Sequence, residues 1–174
     1  MARLRAPKCG LAAFEVTMDR IDRKILNIYQ FDTRRIAESI GEEVGLSAAA
    51  VQRRLKRLRA EGVIAAETAV LDKASVGPSM VTCIVNLSMA AVPAPVAHLD
   101  RFRRQMIDHP MVQQCYHVTG TYDFVVIVIA NSMEAYGGFA RKWFESNKYV
   151  TRFDTHVALE RVKVGLSLPI EDLR

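Results

Sequence analysis

The stretch from Gly45 to Gly62, GLSAAAVQRRLKRLRAEG, limits what this chain can become more than any other. It carries five cations (Arg53, Arg54, Lys56, Arg57 and Arg59) and no acidic residue before Glu61. On a helical wheel Val51, Leu55 and Leu58 fall within about 60° of one another, a stripe suited to burial. Ala49, Ala50, Arg53, Lys56 and Arg57 fall on the other side. Gly45 suits the left-handed position that ends a preceding helix. Ser47 can cap the next one by accepting a backbone N–H, although no Glu or Gln at position 50 completes a capping box. A helix from about Ala48 to Ala60 is expected, held by its apolar side and presenting a cationic one.

Two helices precede it. Ile21, Ile25 and Ile28 recur at helical spacing beside Leu26 and Tyr29, and a short Glu-rich helix is expected over Ala37 to Val44. Helix, short glycine-containing turn, then a helix with segregated faces is the arrangement that DNA reading by a helix-turn-helix requires. There the second helix enters the major groove with its first turns at the base edges. Small alanines allow close approach, and Gln52 and Arg53 are the early side chains able to contact bases directionally. Arg54, Lys56 and Arg57 suit phosphates. The set assigned to the duplex is Ser47, Ala49, Ala50, Gln52, Arg53, Arg54, Lys56 and Arg57. So few base-reading groups imply degenerate sequence preference and strong salt dependence. The net charge of +5 agrees with an anionic partner but is weak support alone.

The second half changes period. Val81 to Leu87 and Val112 to Val118 read as strands, and the apolar run Phe124 to Ala130 as a strand buried on both faces. Pro95 to Asp108 and Ser132 to Ser146 read as helices, and Val150 to Val164 as extended. Strand, helix, strand, strand, helix, strand is the order of a ferredoxin-like βαββαβ sandwich, so the class is α+β. Val63 to Asp72 reads as a strand-forming hinge that Val76-Gly77-Pro78 breaks. The expected division is a basic extension over 1–17, a helix-turn-helix domain over 18–62, a hinge over 63–78 and a ferredoxin-like domain over 79–174.

Several classes are disfavoured. Three cysteines without a Cys-x-x-Cys pair argue against a disulfide framework or zinc site and fit a reducing cytoplasm. The longest apolar run falls far short of the roughly 20 residues needed to cross a bilayer. The four histidines are scattered, so no metal site is expected. No Ser-His-Asp ordering, phosphate-cradling glycine loop or carboxylate pair suggests catalysis, so neither a catalytic residue nor a cofactor is assigned. Cys115, Trp143 and Phe144 read as packing residues.

The sequence from about Met18 to Ile170 resembles the Lrp/AsnC family of transcriptional regulators. Asp19-Arg20-Ile21-Asp22-Arg23-Lys24-Ile25-Leu26 is similar to its opening helix, and Val44-Gly45-Leu46-Ser47 with Val51, Arg54, Leu55, Lys56, Arg57 and Leu58 to its helix-turn-helix. Glu61-Gly62-Val63-Ile64 and Ala69-Val70-Leu71-Asp72 resemble its hinge. Cys115 to Asp123, CYHVTGTYD, resembles the loop with which members bind amino acids, and Leu168-Pro169-Ile170 a closing strand. The resemblance implies an N-terminal winged helix-turn-helix, a C-terminal ligand-binding domain, homodimers that often assemble into octamers, and a small effector, commonly an amino acid. It makes Thr119, Gly120, Tyr122 and Asp123 effector-site candidates, with His117 tuning which ligand fits. Two positions depart from the family pattern. Thr121 stands where an acidic residue is frequent, and Gly41 stands where alanine is usual, at about 1 kcal/mol of helix propensity. Chemically the loop suits a zwitterion, since glycine lets backbone N–H groups approach a carboxylate and Asp123 can balance an ammonium.

The expected function is therefore a DNA-binding regulator responsive to a small effector. Two alternatives stand beside it: an effector-free architectural DNA-binding protein, and an enzyme resembling siroheme decarboxylases, in which His117, Arg152 and His156 would line a tetrapyrrole pocket.

Overall fold

A computed structural model describes residues 17–91 and 95–170. The basic extension read over residues 1–17 lies outside these, apart from Thr17. The described chain divides into a helical unit, residues 17–69 with 163–170, and a sheet unit, residues 70–162.

The helical unit begins with α1, Arg20–Tyr29. Its start is a reciprocal capping box: Asp19 accepts the Asp22 N–H at 2.7 Å, and Asp22 accepts the Asp19 N–H at 3.1 Å. The α2 helix, Ala37–Val44, ends on Gly45 at φ 74°, where a residue with a Cβ would be strained. The α3 helix, Ala48–Ala60, starts as expected with the Ser47 side chain accepting the Ala50 N–H. Ile25, Ile40, Val51 and Leu58 are fully buried here. Each contributes roughly 1.5–3 kcal/mol as an upper estimate, more than the ~1 kcal/mol of a cap. Packing therefore holds the three helices together, and the caps set their ends.

Gly41 is buried in α2, and a Cβ there would meet the Leu46 carbonyl oxygen at 2.4 Å. The Leu46 N–H also donates to the Gly41 carbonyl at 2.9 Å. In this chain the α2–α3 turn folds back so tightly that a Cβ at position 41 would force the Leu46 backbone to shift, a cost helix propensity does not reveal.

Two tethers hold extended chain to this unit. The Tyr29 hydroxyl donates to Glu67 at 2.7 Å, and Arg59 reaches both Tyr29, at 2.7 Å, and Glu67, at 2.9 Å. The Gln30 amide accepts the Leu168 N–H at 2.9 Å and donates to the Leu168 carbonyl at 3.1 Å, in place of a neighbouring strand.

The sheet unit contains α4 (Lys73–Val76), β1 (Val81–Met89), α5 (Pro95–Asp108), β2 (Val112–His117), β3 (Phe124–Ala130), α6 (Met133–Ala140) and β4 (Val150–Val157). A π-helical turn, Arg141–Glu145, extends α6. The strands are antiparallel in the order β2-β3-β1-β4, the ferredoxin-like arrangement expected. Cys83, Val85 and Leu87 of β1, Phe124, Val126 and Val128 of β3, Phe102 and Met106 of α5, and Phe139 and Phe144 form the core. Among the described residues no helix is long and apolar enough to cross a membrane.

Four sequence expectations change. Val63 to Asp72 joins no ladder, and Val70 and Leu71 are exposed. The short α4 was not foreseen; Asp72 caps it by accepting the Ala74 and Ser75 N–H groups, both at 3.1 Å. Extended structure expected to Val164 stops at Val157, after which the Ala158 N–H makes a last bond to β1, at the Thr82 carbonyl, 2.9 Å away. Finally, β3 is buried on one face only, since Val125, Ile127 and Ile129 alternate with the core residues and remain partly exposed. The run reads as doubly buried because it is apolar throughout, yet within the sheet unit the described helices pack on the other face.

Candidate nucleic-acid interface and ligand loop

The five cations of α3 divide into two groups. Arg53 and Lys56 are exposed, and neither has an ion-pair partner among the described residues. With the exposed Ser47, Ala49 and Gln52 they form a solvent-facing edge along the start of the helix, and Ala50 is half-buried beside it. The remaining three are held internally. Arg54 donates to Asp19 at 2.6 Å and to Asp22 at 2.8 Å, Arg57 donates to Asp22 at 2.5 Å, and Arg59 is the Tyr29–Glu67 tether.

Asp22 is the centre of this network. Its carboxylate is 1% exposed, yet it takes two guanidinium groups from α3 and one backbone N–H. Burial pushes its carboxyl up, but the hydrogen bonds from Arg54 and Arg57 outweigh that and hold it below the usual carboxylate range. Arg54 and Arg57, assigned from sequence to phosphates, thus brace α3 against α1. Arg54 keeps 27% side-chain exposure and Arg57 40%, so each guanidinium retains N–H groups toward solvent. The sequence did contain a signal: Asp19 and Asp22 sit three apart at the start of a helix facing a cationic one. The wheel of α3 alone does not show it.

The loop joining β2 to β3 is tightly anchored. Gly120 has φ 113°, a conformation that favours glycine. Below it the Val118 N–H donates to the Asp123 carbonyl at 2.9 Å, and the Asp123 N–H donates to the Leu87 carbonyl at 2.8 Å. The Asp123 carboxylate accepts the Met89 N–H at 2.6 Å through Oδ2, leaving Oδ1 without a described partner. Thr119 and Gly120 are exposed.

Tyr122 leans away from this group. Its hydroxyl donates to Asp154 at 2.5 Å, and Arg152, 2.9 Å from Asp154, lies over its ring at 5.7 Å. The Tyr122 hydrogen bond holds the Asp154 carboxyl low and pushes the tyrosine up. Sequence reasoning missed Asp154, although Arg152, Asp154 and His156 alternate on β4 and so share a face.

His117 turns to the other face. Its Nδ1 accepts from Arg103 at 3.2 Å, and its ring lies 4.9 Å from that of Phe124. The three residues named for a tetrapyrrole pocket therefore do not converge: Arg152 pairs with Ser88 and His156 with Ile84 on the open face, while His117 pairs with Phe124 on the helix-covered side. Cys115 packs against the core, and burial pushes its thiol up to about 11. Among the described residues no three His, Cys, Asp or Glu side chains gather as a metal site.

Two family models match. The AsnC-type helix-turn-helix domain covers residues 18–59, and the Lrp/AsnC ligand binding domain covers residues 82–168. An uncharacterised HTH-type transcriptional regulator of Sinorhizobium fredii, y4tD, is 39% identical over 161 residues, 92% of this chain and 94% of that one. An AsnC family regulator from Agrobacterium tumefaciens superimposes with a TM-score of 0.79 at 29% identity, covering 88% of this chain and 98% of the other. A Neisseria meningitidis transcriptional regulator, solved as a complex with L-methionine, gives 0.78 at 26% identity, with coverage of 88% and 97%. The helices, the sheet order and these likenesses agree, and the chain belongs to the Lrp/AsnC family of DNA-binding transcriptional regulators.

Proposed function

We propose that this regulator works in the cytoplasm as a homodimer, that it holds duplex DNA through Ala49, Ala50, Gln52, Arg53 and Lys56, and that an amino acid at the Thr119–Asp123 loop biases its assembly. The observation that carries the DNA contact is the exposed edge of α3, where two cations without an ion-pair partner among the described residues and an amide follow small side chains. Arg54 and Arg57 add phosphate contacts through the N–H groups that Asp22 leaves free, and Ser47 fixes where the helix begins.

Dimerisation is supported by the open sheet face. Val125, Ile127 and Ile129 of β3, Ile84 of β1 and Tyr116 of β2 point away from the helices, and Ile84 and Tyr116 are 37% and 50% exposed. A contiguous apolar face of this kind marks an interaction surface, and a second copy supplies a matching one by two-fold symmetry. Octamers would follow from further contacts between dimers.

For the effector, the loop offers a glycine at positive φ and one uncommitted carboxylate oxygen of Asp123. The Neisseria relative in its complex with L-methionine supports the class of ligand. The test is a thermal-shift screen against the proteinogenic amino acids, run with a sizing measurement. A ligand specific for the native state raises Tm, and its loss in Asp123→Ala assigns it to the loop. No response to any amino acid would favour the effector-free architectural reading. Ile127→Glu should weaken self-association by at least roughly tenfold; an unchanged oligomer would place the dimer elsewhere.

A further inference from the structure

A second polar site lies on the opposite side of the sheet unit from the open face. A cavity of about 260 Å³ opens between α5 and the segment that follows α6. His98 and Arg101 line it from α5, and Lys142, Trp143, Lys148 and Tyr149 from the π-helical turn and the chain after it. No Asp or Glu is among its lining residues.

His98 is the informative side chain. It is 7% exposed, and its Nδ1 has no hydrogen-bond partner among the described residues. Its ring is stacked on Tyr149, with centroids 4.7 Å apart and planes 25° from parallel. A buried polar atom without a partner is unfavourable unless a ligand or water supplies one. The stack holds the plane of the ring against Tyr149.

The cations around it are also ordered. Lys142 Nζ sits 5.2 Å from the centroid of Trp143, and Lys148 Nζ sits 5.0 Å from that of Tyr149. Both ammonium groups are therefore held at the rim by cation–π contacts, with Arg101 exposed across the opening. The π-helical turn carrying Lys142 and Trp143 is a rare irregularity that recurs at functional sites.

We propose that this cavity binds a compact organic anion, one whose phosphate or clustered carboxylates accept from the three cations that surround the buried His98 ring. The site is separate from the β2–β3 loop. It would give the protein a second small-molecule input, from a metabolite more anionic than an amino acid.

The test uses the full-length protein and NMR of its histidine side chains and its single tryptophan indole. Titrations with inorganic phosphate and with citrate are compared with sodium chloride at matched ionic strength. The expected result is saturable shifts of His98 and Trp143 with phosphate, citrate or both, and none with chloride. A response to phosphate alone assigns phosphate esters, and to citrate alone polycarboxylates. The double variant Lys142→Ala/Lys148→Ala changes only exposed side chains and should weaken the response by roughly tenfold or more. Shifts that grow linearly without saturating, that chloride reproduces, or that persist unweakened in the double variant would overturn the proposal.

Discussion

Arg53 and Arg54 are neighbours in sequence, but replacing each by alanine should have opposite consequences. Arg53 is exposed and has no ion-pair partner among the described residues, so its loss should change stability by less than about 0.5 kcal/mol. If it meets a phosphate, the slope of log K against log salt should fall by about 0.9; if it reads a guanine, discrimination at that base should relax by about 1–3 kcal/mol. Arg54 donates two hydrogen bonds to carboxylates, at 2.6 and 2.8 Å, and one of those carboxylates is 1% exposed. A hydrogen bond to a buried charge is worth roughly 1.5–3 kcal/mol, and the 27% exposure of Arg54 discounts this. Arg54→Ala should therefore cost about 1–2 kcal/mol of stability. Asp22→Ala, which releases Arg57 and leaves Arg54 on Asp19 alone, should also destabilise while adding cationic character to α3. The assays are urea unfolding followed by circular dichroism at fixed protein concentration, and fluorescence anisotropy of a labelled duplex over a salt series. If Arg54→Ala left stability unchanged and altered the salt slope as much as Arg53→Ala, the division of this helix into bracing and contacting cations would be wrong.

Three further outcomes are expected. The hydrogen bonds that hold Asp22 low, the Asp22 N–H that lowers Asp19 and the Tyr29 hydroxyl that lowers Glu67 all favour the charged carboxylates in the fold. A carboxyl depressed on folding stabilises above its unfolded pKa, and that contribution vanishes as pH falls through the folded value; helical-unit Tm should be flat near neutrality and fall below about pH 4. Gly41→Ala should lower Tm although it improves helix propensity, because overpacking against the Leu46 carbonyl costs roughly 1–3 kcal/mol, and a raised Tm would show that the turn can open. Gly120→Ala should strain the β2–β3 loop at φ 113° and abolish the amino-acid thermal shift, leaving the α-helical circular dichroism intact.

The parts of the fold legible in the sequence are those that depend on short-range physics. The bounds of α2, α3, α5 and β3 follow from caps, glycines and periods that lie within the elements themselves. Misreadings arise where a structure depends on a neighbour. Val63 to Asp72 has the composition of a strand, but a strand forms only against a partner, and it pairs with none among the described residues. The second face of β3 shows the same limit: its apolar residues read as buried, and the alternation that leaves Val125, Ile127 and Ile129 partly exposed is hidden in an unbroken apolar run.

The candidate site shows the same limit in its electrostatics. Counting charges on one helix gave five available cations, which would suggest a phosphate grip of that size. Yet the carboxylates that engage Arg54 and Arg57 lie 32 and 35 residues earlier, on another helix, and Glu67 follows eight residues after Arg59 in a segment without regular structure. Periodicity cannot show such pairings, because they depend on the angle at which α1 crosses α3. That crossing is fixed by the apolar stripe, so the residues that build the core also decide which charges of α3 remain exposed. Internal neutralisation brings the free complement of α3 down to Arg53 and Lys56 together with what Arg54 and Arg57 retain. The salt dependence of DNA binding should accordingly be shallower per protomer than five cations would give.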